Sequence, residues 1–155
     1  IPFDNNYTIP DSIPEYQTIS TDEKTDWQAQ WIWDTENIHE ENTWMCFFKS
    51  VNLDTLPSSL TAHISADSKY WLYINGENVV FEGSVKRGPQ KNSGYYDSTD
   101  IAPYLKKGEN SICALVWFWD NETSYSYSGS GQGGFIFEAK KRVLFMSETC
   151  NKELL

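Results

Sequence analysis

The chain has 155 residues, enough for one ordinary domain that buries roughly two-thirds of its unfolded surface without help from metals or disulfides. With 39% hydrophobic and 15% aromatic residues, including seven Trp, nine Tyr and eight Phe, it can build a packed core, which excludes global disorder. Its 22 acidic against 12 basic residues give a formal charge of −10, which excludes nucleic acid and anionic membrane surfaces as partners and leaves neutral polar ligands open.

Residues 1–26, with Pro2, Pro10 and Pro14 set among Asp, Ser and Thr, lack periodicity and are expected to form a flexible leader. From Trp27 the texture changes to short apolar runs separated by turn residues about every eight to twelve positions, the pattern of an all-β sandwich or barrel. Strands are predicted over 30–33, 43–51, 60–66, 70–75, 78–82, 94–98, 111–119 and 133–140, with a ninth over 142–146. The pair Asn75-Gly76 joins two aromatic and β-branched runs, and a two-residue type I′ turn needs positive φ at both of its central residues.

The stretch 97–110 reads differently. Asp100 is placed to cap a short helical turn, Gly108 to end it, and Ile101 and Leu105 to share its apolar face. The following run from Ile112 to Trp119 is apolar on both phases, which places it in the middle of a sheet, covered on each side. Three cysteines are too few for a disulfide framework. Cys46 and Cys113 sit within apolar runs and are expected to be buried free thiols, with Cys150 near the end of the chain. No apolar segment approaches the roughly 20 residues of a membrane span, and no signal peptide is visible.

Several blocks resemble the N-terminal β-sandwich domain of bacterial α-L-rhamnosidases, the family 78 glycoside hydrolases. They are Ala29-Gln30-Trp31-Ile32-Trp33, Phe47 through Leu53, Ile64 through Glu77, Tyr96-Asp97, Asp100-Ile101, and Tyr104 through Asn110. The hairpin and the block ending in Gly108-Glu109-Asn110 are similar to those of sugar-binding domains in several glycosidase families; the Trp31-Ile32-Trp33 opening and the Ser65-Ala66-Asp67 run point to rhamnosidases. The resemblance implies a jelly-roll, galactose-binding-like sandwich of about eight antiparallel strands over 27–141. It also implies that 142–155 is the truncated start of a next segment. By the same resemblance the parent protein is a secreted, periplasmic or cell-surface hydrolase whose catalytic carboxylates lie in a downstream domain, so no catalytic residue is carried over. This fragment is expected to be an accessory, non-catalytic domain. An independent carbohydrate-binding module and a purely structural, adhesin-like sandwich remain alternatives.

Candidate sites are few. Glycoside hydrolysis needs two carboxylates flanking the bond; Asp67 with Glu77, or Asp97 with Asp100, could be paired, but turn, cap and solvated-surface roles explain each. His39 and His63 lack companion ligands at metal spacing. The stretch 117–134 combines flat rings with hydrogen-bonding side chains and glycines, as a sugar site requires, and Trp117, Trp119, Asp120, Asn121, Tyr125 and Tyr127 are its candidate carbohydrate-binding residues. Arg87, in a loop after the hairpin, could bridge to a ligand hydroxyl or a neighbouring domain. No cofactor is expected, although a structural calcium on 120–122 or on Asp97, Thr99 and Asp100 is a further option. The expected partners are the downstream catalytic domain and a rhamnose-containing glycan.

Overall fold

The computed structural model describes residues 17–20, 27–84, 95–119, 130–139, 144–145 and 151–154. Their ten strands are β1 (Gln17–Ser20), β2 (Thr43–Leu53), β3 (Thr61–Asp67), β4 (Lys69–Ile74), β5 (Glu77–Gly83), β6 (Tyr95–Asp100), β7 (Gly108–Phe118), β8 (Gly134–Ala139), β9 (Leu144–Phe145) and β10 (Asn151–Leu154). All pairings are antiparallel. One sheet has the order β1-β6-β3-β8-β9 and the other β10-β2-β7-β4-β5.

The core lies between the sheets and follows from strand alternation. On β7, Asn110, Ile112, Ala114, Val116 and Phe118 are buried, while Ser111, Cys113, Leu115 and Trp117 are half-buried on the other side. Met45 and Phe47 of β2 and Tyr70, Leu72 and Ile74 of β4 fill the same layer. Phe135 and Phe137 reach it from β8. Phe47 stacks on Phe135 with ring centroids 5.2 Å apart, and Trp33 packs on both Phe47 and Phe118. Full burial of each such ring stabilises the fold by about 1.5–3 kcal/mol.

β7 occupies the centre of its sheet, as its two-phase apolar pattern predicts, between β2 and β4. At the hairpin, Asn75 and Gly76 have φ of 53° and 85°, the two positive values that a type I′ turn requires.

Five expectations need correction. Within the stretch read as a leader, Gln17–Ser20 pair with β6 at the edge of a sheet. Within the stretch read as the start of a next segment, β9 pairs with β8 and β10 with β2, so both add strands to this sandwich. Residues 30–33 make a single bridge, Ile32 with Phe135, because the chain here crosses β8 only briefly. Cys46 and Cys113 are half-buried, since both fall on the outward phase of their strands, where their sulfurs lie 3.4 Å apart.

The helical turn exists as a short 3-10 segment, Ala102–Tyr104, but Gly108 does not end it. Gly108 opens β7 with φ of 87°. Asp100 stands before this turn: its Oδ1 accepts hydrogen bonds from the Leu60 N–H at 2.8 Å and the Ala102 N–H at 3.0 Å. These two donors, Leu60 first, hold the Asp100 carboxyl below its ordinary range. A lowered folded-state value means that its stabilisation is present above the ordinary aspartate pKa and fades as the pH falls through the lowered one. Asp100→Asn is therefore expected to lower stability slightly at neutral pH and to flatten the acid limb of the stability curve, read by urea unfolding at several pH values.

Candidate functional site

Among the predicted site residues, only Trp117 and Trp119 fall within the described structure; Arg87, Asp120, Asn121, Tyr125 and Tyr127 lie outside the described residues. Trp117 stands on the outward phase of β7, opposite Trp44 of β2. Their rings are parallel to within 6° at 4.9 Å, and the Trp44 ring also stacks with that of Trp71 of β4 at 5.6 Å and 21°. Trp119 meets Trp117 edge-on at 5.3 Å, and the Lys69 ammonium lies 5.6 Å from its ring centre. The Trp117 indole N–H donates to Asn42 Oδ1 at 3.0 Å.

This geometry limits what the stack can do. A sugar stacks on an open ring face, whereas Trp117 and Trp71 each already stack on Trp44. The row forms an apolar ridge on the outer side of the sheet, continued by the half-buried Cys46, Cys113 and Leu115 and by the exposed Phe48.

The carboxylates proposed as pairs are separated in role. Asp97 is fully buried and accepts the Tyr70 hydroxyl at 2.8 Å. Asp67, 3% exposed, accepts the Ser130 N–H at 2.8 Å and its hydroxyl at 2.6 Å, holding the start of the segment that leads into β8. Glu77 is exposed at the hairpin. A buried carboxylate absent from the sequence reading, Glu138, accepts the N–H groups of Gln28 at 2.6 Å and Ala29 at 2.9 Å. These acids fasten segments to the sandwich instead of facing one another across a cleft. Among the described residues no group of His, Cys, Asp and Glu converges as a metal site. For the option on Asp97, Thr99 and Asp100, one carboxylate is engaged in the core and the other is bound to backbone N–H groups.

His63 lies beside Trp27 and Tyr96 in edge-on ring contacts at 6.2 and 5.2 Å. His39 is exposed, and its Nδ1–H donates to the Gly131 carbonyl at 2.6 Å.

That last bond borders a feature the sequence reading did not assign. Segments 31–38 and 132–134 enclose an open pocket of about 370 Å³ at one end of the sandwich. Trp31, Ile32, Trp33 and Ile38 provide apolar lining, and Thr35 and Gln132 contribute polar side chains. Trp33 is 6% exposed and packs so closely on Gly133 that a Cβ there would overlap its ring. Trp31 is 52% exposed and lies against Gly134, where a Cβ would stand 3.0 Å from its ring.

The chain matches no protein-family model and no curated protein. Among solved structures it is similar to a family 78 rhamnosidase of Bacillus sp. GL1, with 33% identity and a TM-score of 0.69 over 83% of this chain and 14% of that one. It is also similar in fold to the α-L-rhamnosidase of Aspergillus terreus (18% identity, TM-score 0.56, 83% of this chain and 15% of that one). A third neighbour is the α-L-rhamnosidase of Dictyoglumus thermophilum (17% identity, TM-score 0.53, 83% of this chain and 16% of that one). The chain thus spans 14–16% of the length of these three enzymes. Its structural neighbours are the family 78 α-L-rhamnosidases, and its two-sheet sandwich is the kind of domain that occupies a small part of each of them.

Proposed function

We propose that this chain is an accessory, non-catalytic domain of a secreted α-L-rhamnosidase-like glycoside hydrolase, packed against the catalytic module of the same polypeptide, whose substrates are rhamnose-containing glycans. The observation that carries this reading is the 33% identity over 83% of the chain to a rhamnosidase of which it covers only 14%. The chemistry of the described residues supports it. Hydrolysis of a glycoside needs two carboxyl groups about 5–9.5 Å apart across the bond, one of them held protonated. Asp67, Asp97 and Glu138 are instead buried and bound to the chain's own donors. The ridge of Trp44, Trp71 and Trp117 suits a packing role, because rings already stacked offer a rigid apolar surface at little further entropic cost.

The purified chain is expected to release no aryl alcohol from an aryl α-L-rhamnoside above the buffer rate. Sustained turnover by a pure sample, abolished by a substitution within this chain, would overturn the reading.

A further inference from the structure

We propose that the pocket at Trp31 is a binding site for a neutral sugar ring, stacked on Trp31 and hydrogen-bonded by Thr35 and Gln132. The proposal goes beyond the accessory role, which requires no ligand.

Three observations carry it. The first is the exposure of Trp31: an indole that leaves 52% of its surface in water, next to a second indole that is 6% exposed, forgoes much of the free energy its burial would give. It is nevertheless held in place. Ile32 exchanges two backbone hydrogen bonds with Phe135 at 2.8 and 3.0 Å, the Gly133 N–H donates to the Ile38 carbonyl at 2.7 Å, and His39 grips Gly131. Both walls of the pocket are therefore fixed before any ligand arrives, which reduces the ordering cost of binding.

The second is the lining. None of its side chains carries a charge, so an ionic ligand would lose hydration without compensation, whereas a neutral one meets apolar surface and a few hydrogen-bonding groups. The Thr35 hydroxyl and the Gln132 amide are exposed and make no hydrogen bond among the described residues. A pyranose, with an apolar face formed by its C–H groups and a rim of hydroxyls, matches that combination of flat ring, hydroxyl and amide. The third is size. At about 370 Å³ the pocket lies at the lower end of the roughly 300–1,000 Å³ of small-molecule sites, which suits one or two sugar rings and not a long chain.

The test titrates the intact chain with L-rhamnose, D-galactose and D-glucose, following indole N–H shifts by NMR. At least one sugar is expected to give a saturable shift, weakened at least tenfold in Trp31→Ala and severalfold in Gln132→Leu, and unchanged in Trp71→Ala on the stacked ridge. Because Trp31 is outside the core, circular dichroism of Trp31→Ala should match the parent; Gln132→Leu, at an exposed position, provides a second readout should it not. The proposal is overturned if no sugar shifts any indole, or if binding survives in both Trp31→Ala and Gln132→Leu. Either result leaves the accessory-domain reading standing, since that reading depends on the rhamnoside assay.

Discussion

Gly83→Ala is expected to lower the melting temperature by roughly 5–10 °C, a loss near the upper end of the about 1–3 kcal/mol typical of an overpacked core in a domain of this size. Gly83 is the cross-strand partner of Tyr70, and the Tyr70 ring lies directly over it. A Cβ at Gly83 would overlap the ring and stand 2.7 Å from the hydroxyl oxygen. The ring has no room to retreat: Tyr70 is fully buried, packs at 5.9 Å on Phe135, and donates its hydroxyl to the buried Asp97. Relief must come from the backbone, which is constrained by positive φ at Glu82 and Ser84 on either side, 56° and 50°. Gly76→Ala is the control. Its Cβ would meet nothing within 4 Å, so only the strain of φ at 85° remains, worth about 1 kcal/mol. Thermal unfolding of both variants decides the matter; a Gly83→Ala protein as stable as Gly76→Ala would show that the ring can move.

The strands legible in the sequence are those whose apolar side chains reach the core, by alternation or as a short continuous run. β2, β3, β4 and β7 carry buried apolar residues at every second position, β5 and β8 contain short continuous apolar runs, and the Asn75-Gly76 turn sets the register of the pairs beside it. The ones that escaped, β1 and β10, are edge strands of the compositions Gln-Thr-Ile-Ser and Asn-Lys-Glu-Leu. Each has one apolar residue and joins its sheet by backbone pairing, which leaves no periodic trace. The thiols were misplaced for a related reason. In Trp44-Met45-Cys46-Phe47-Phe48 both phases are apolar, because the outer face of this sheet is itself covered by an aromatic stack, so composition could not say on which side Cys46 falls.

The candidate site was less legible. The abundance of rings near Trp117 drew attention to that stretch, but whether a ring offers its face depends on neighbours from other strands: Trp44 is 73 residues away from Trp117 in sequence and opposite it in the sheet. Trp31 appeared in the sequence only as part of Trp31-Ile32-Trp33, where alternation would put both indoles on one side of a strand. The segment makes one bridge instead, and the two rings part company, Trp33 into the core and Trp31 towards solvent. The role of Asp97 was hidden likewise, since its partner Tyr70 lies 27 residues away.

Asn110 gives the Gly108-Glu109-Asn110 block a physical role in the fold. Its side chain is fully buried and makes four hydrogen bonds. Oδ1 accepts from the Lys106 N–H at 2.8 Å and from Asn75 Nδ2 at 2.9 Å, while Nδ2 donates to the carbonyls of Lys106 at 2.7 Å and Gly108 at 2.9 Å. Asn75 in turn donates to the Tyr104 carbonyl and accepts the Ser111 N–H, so one amide ties the hairpin turn, the segment after the 3-10 turn and the start of β7 together. Removing it in Asn110→Ala strands several of these groups away from water, and the expected loss is about 3 kcal/mol, seen as a melting temperature roughly 6–12 °C lower. Asn110→Asp has nearly the same shape and keeps both accepted bonds, but it loses both donations and sets a carboxylate against two carbonyl oxygens. Those oxygens and the burial raise the pKa of that carboxyl in the folded state, so the stability of this variant is greatest in acid and falls as the pH rises through the raised value. Melting curves from acid to neutral pH check both expectations, and an Asn110→Asp protein with the parent's stability at neutral pH would mean that the two donated bonds contribute nothing.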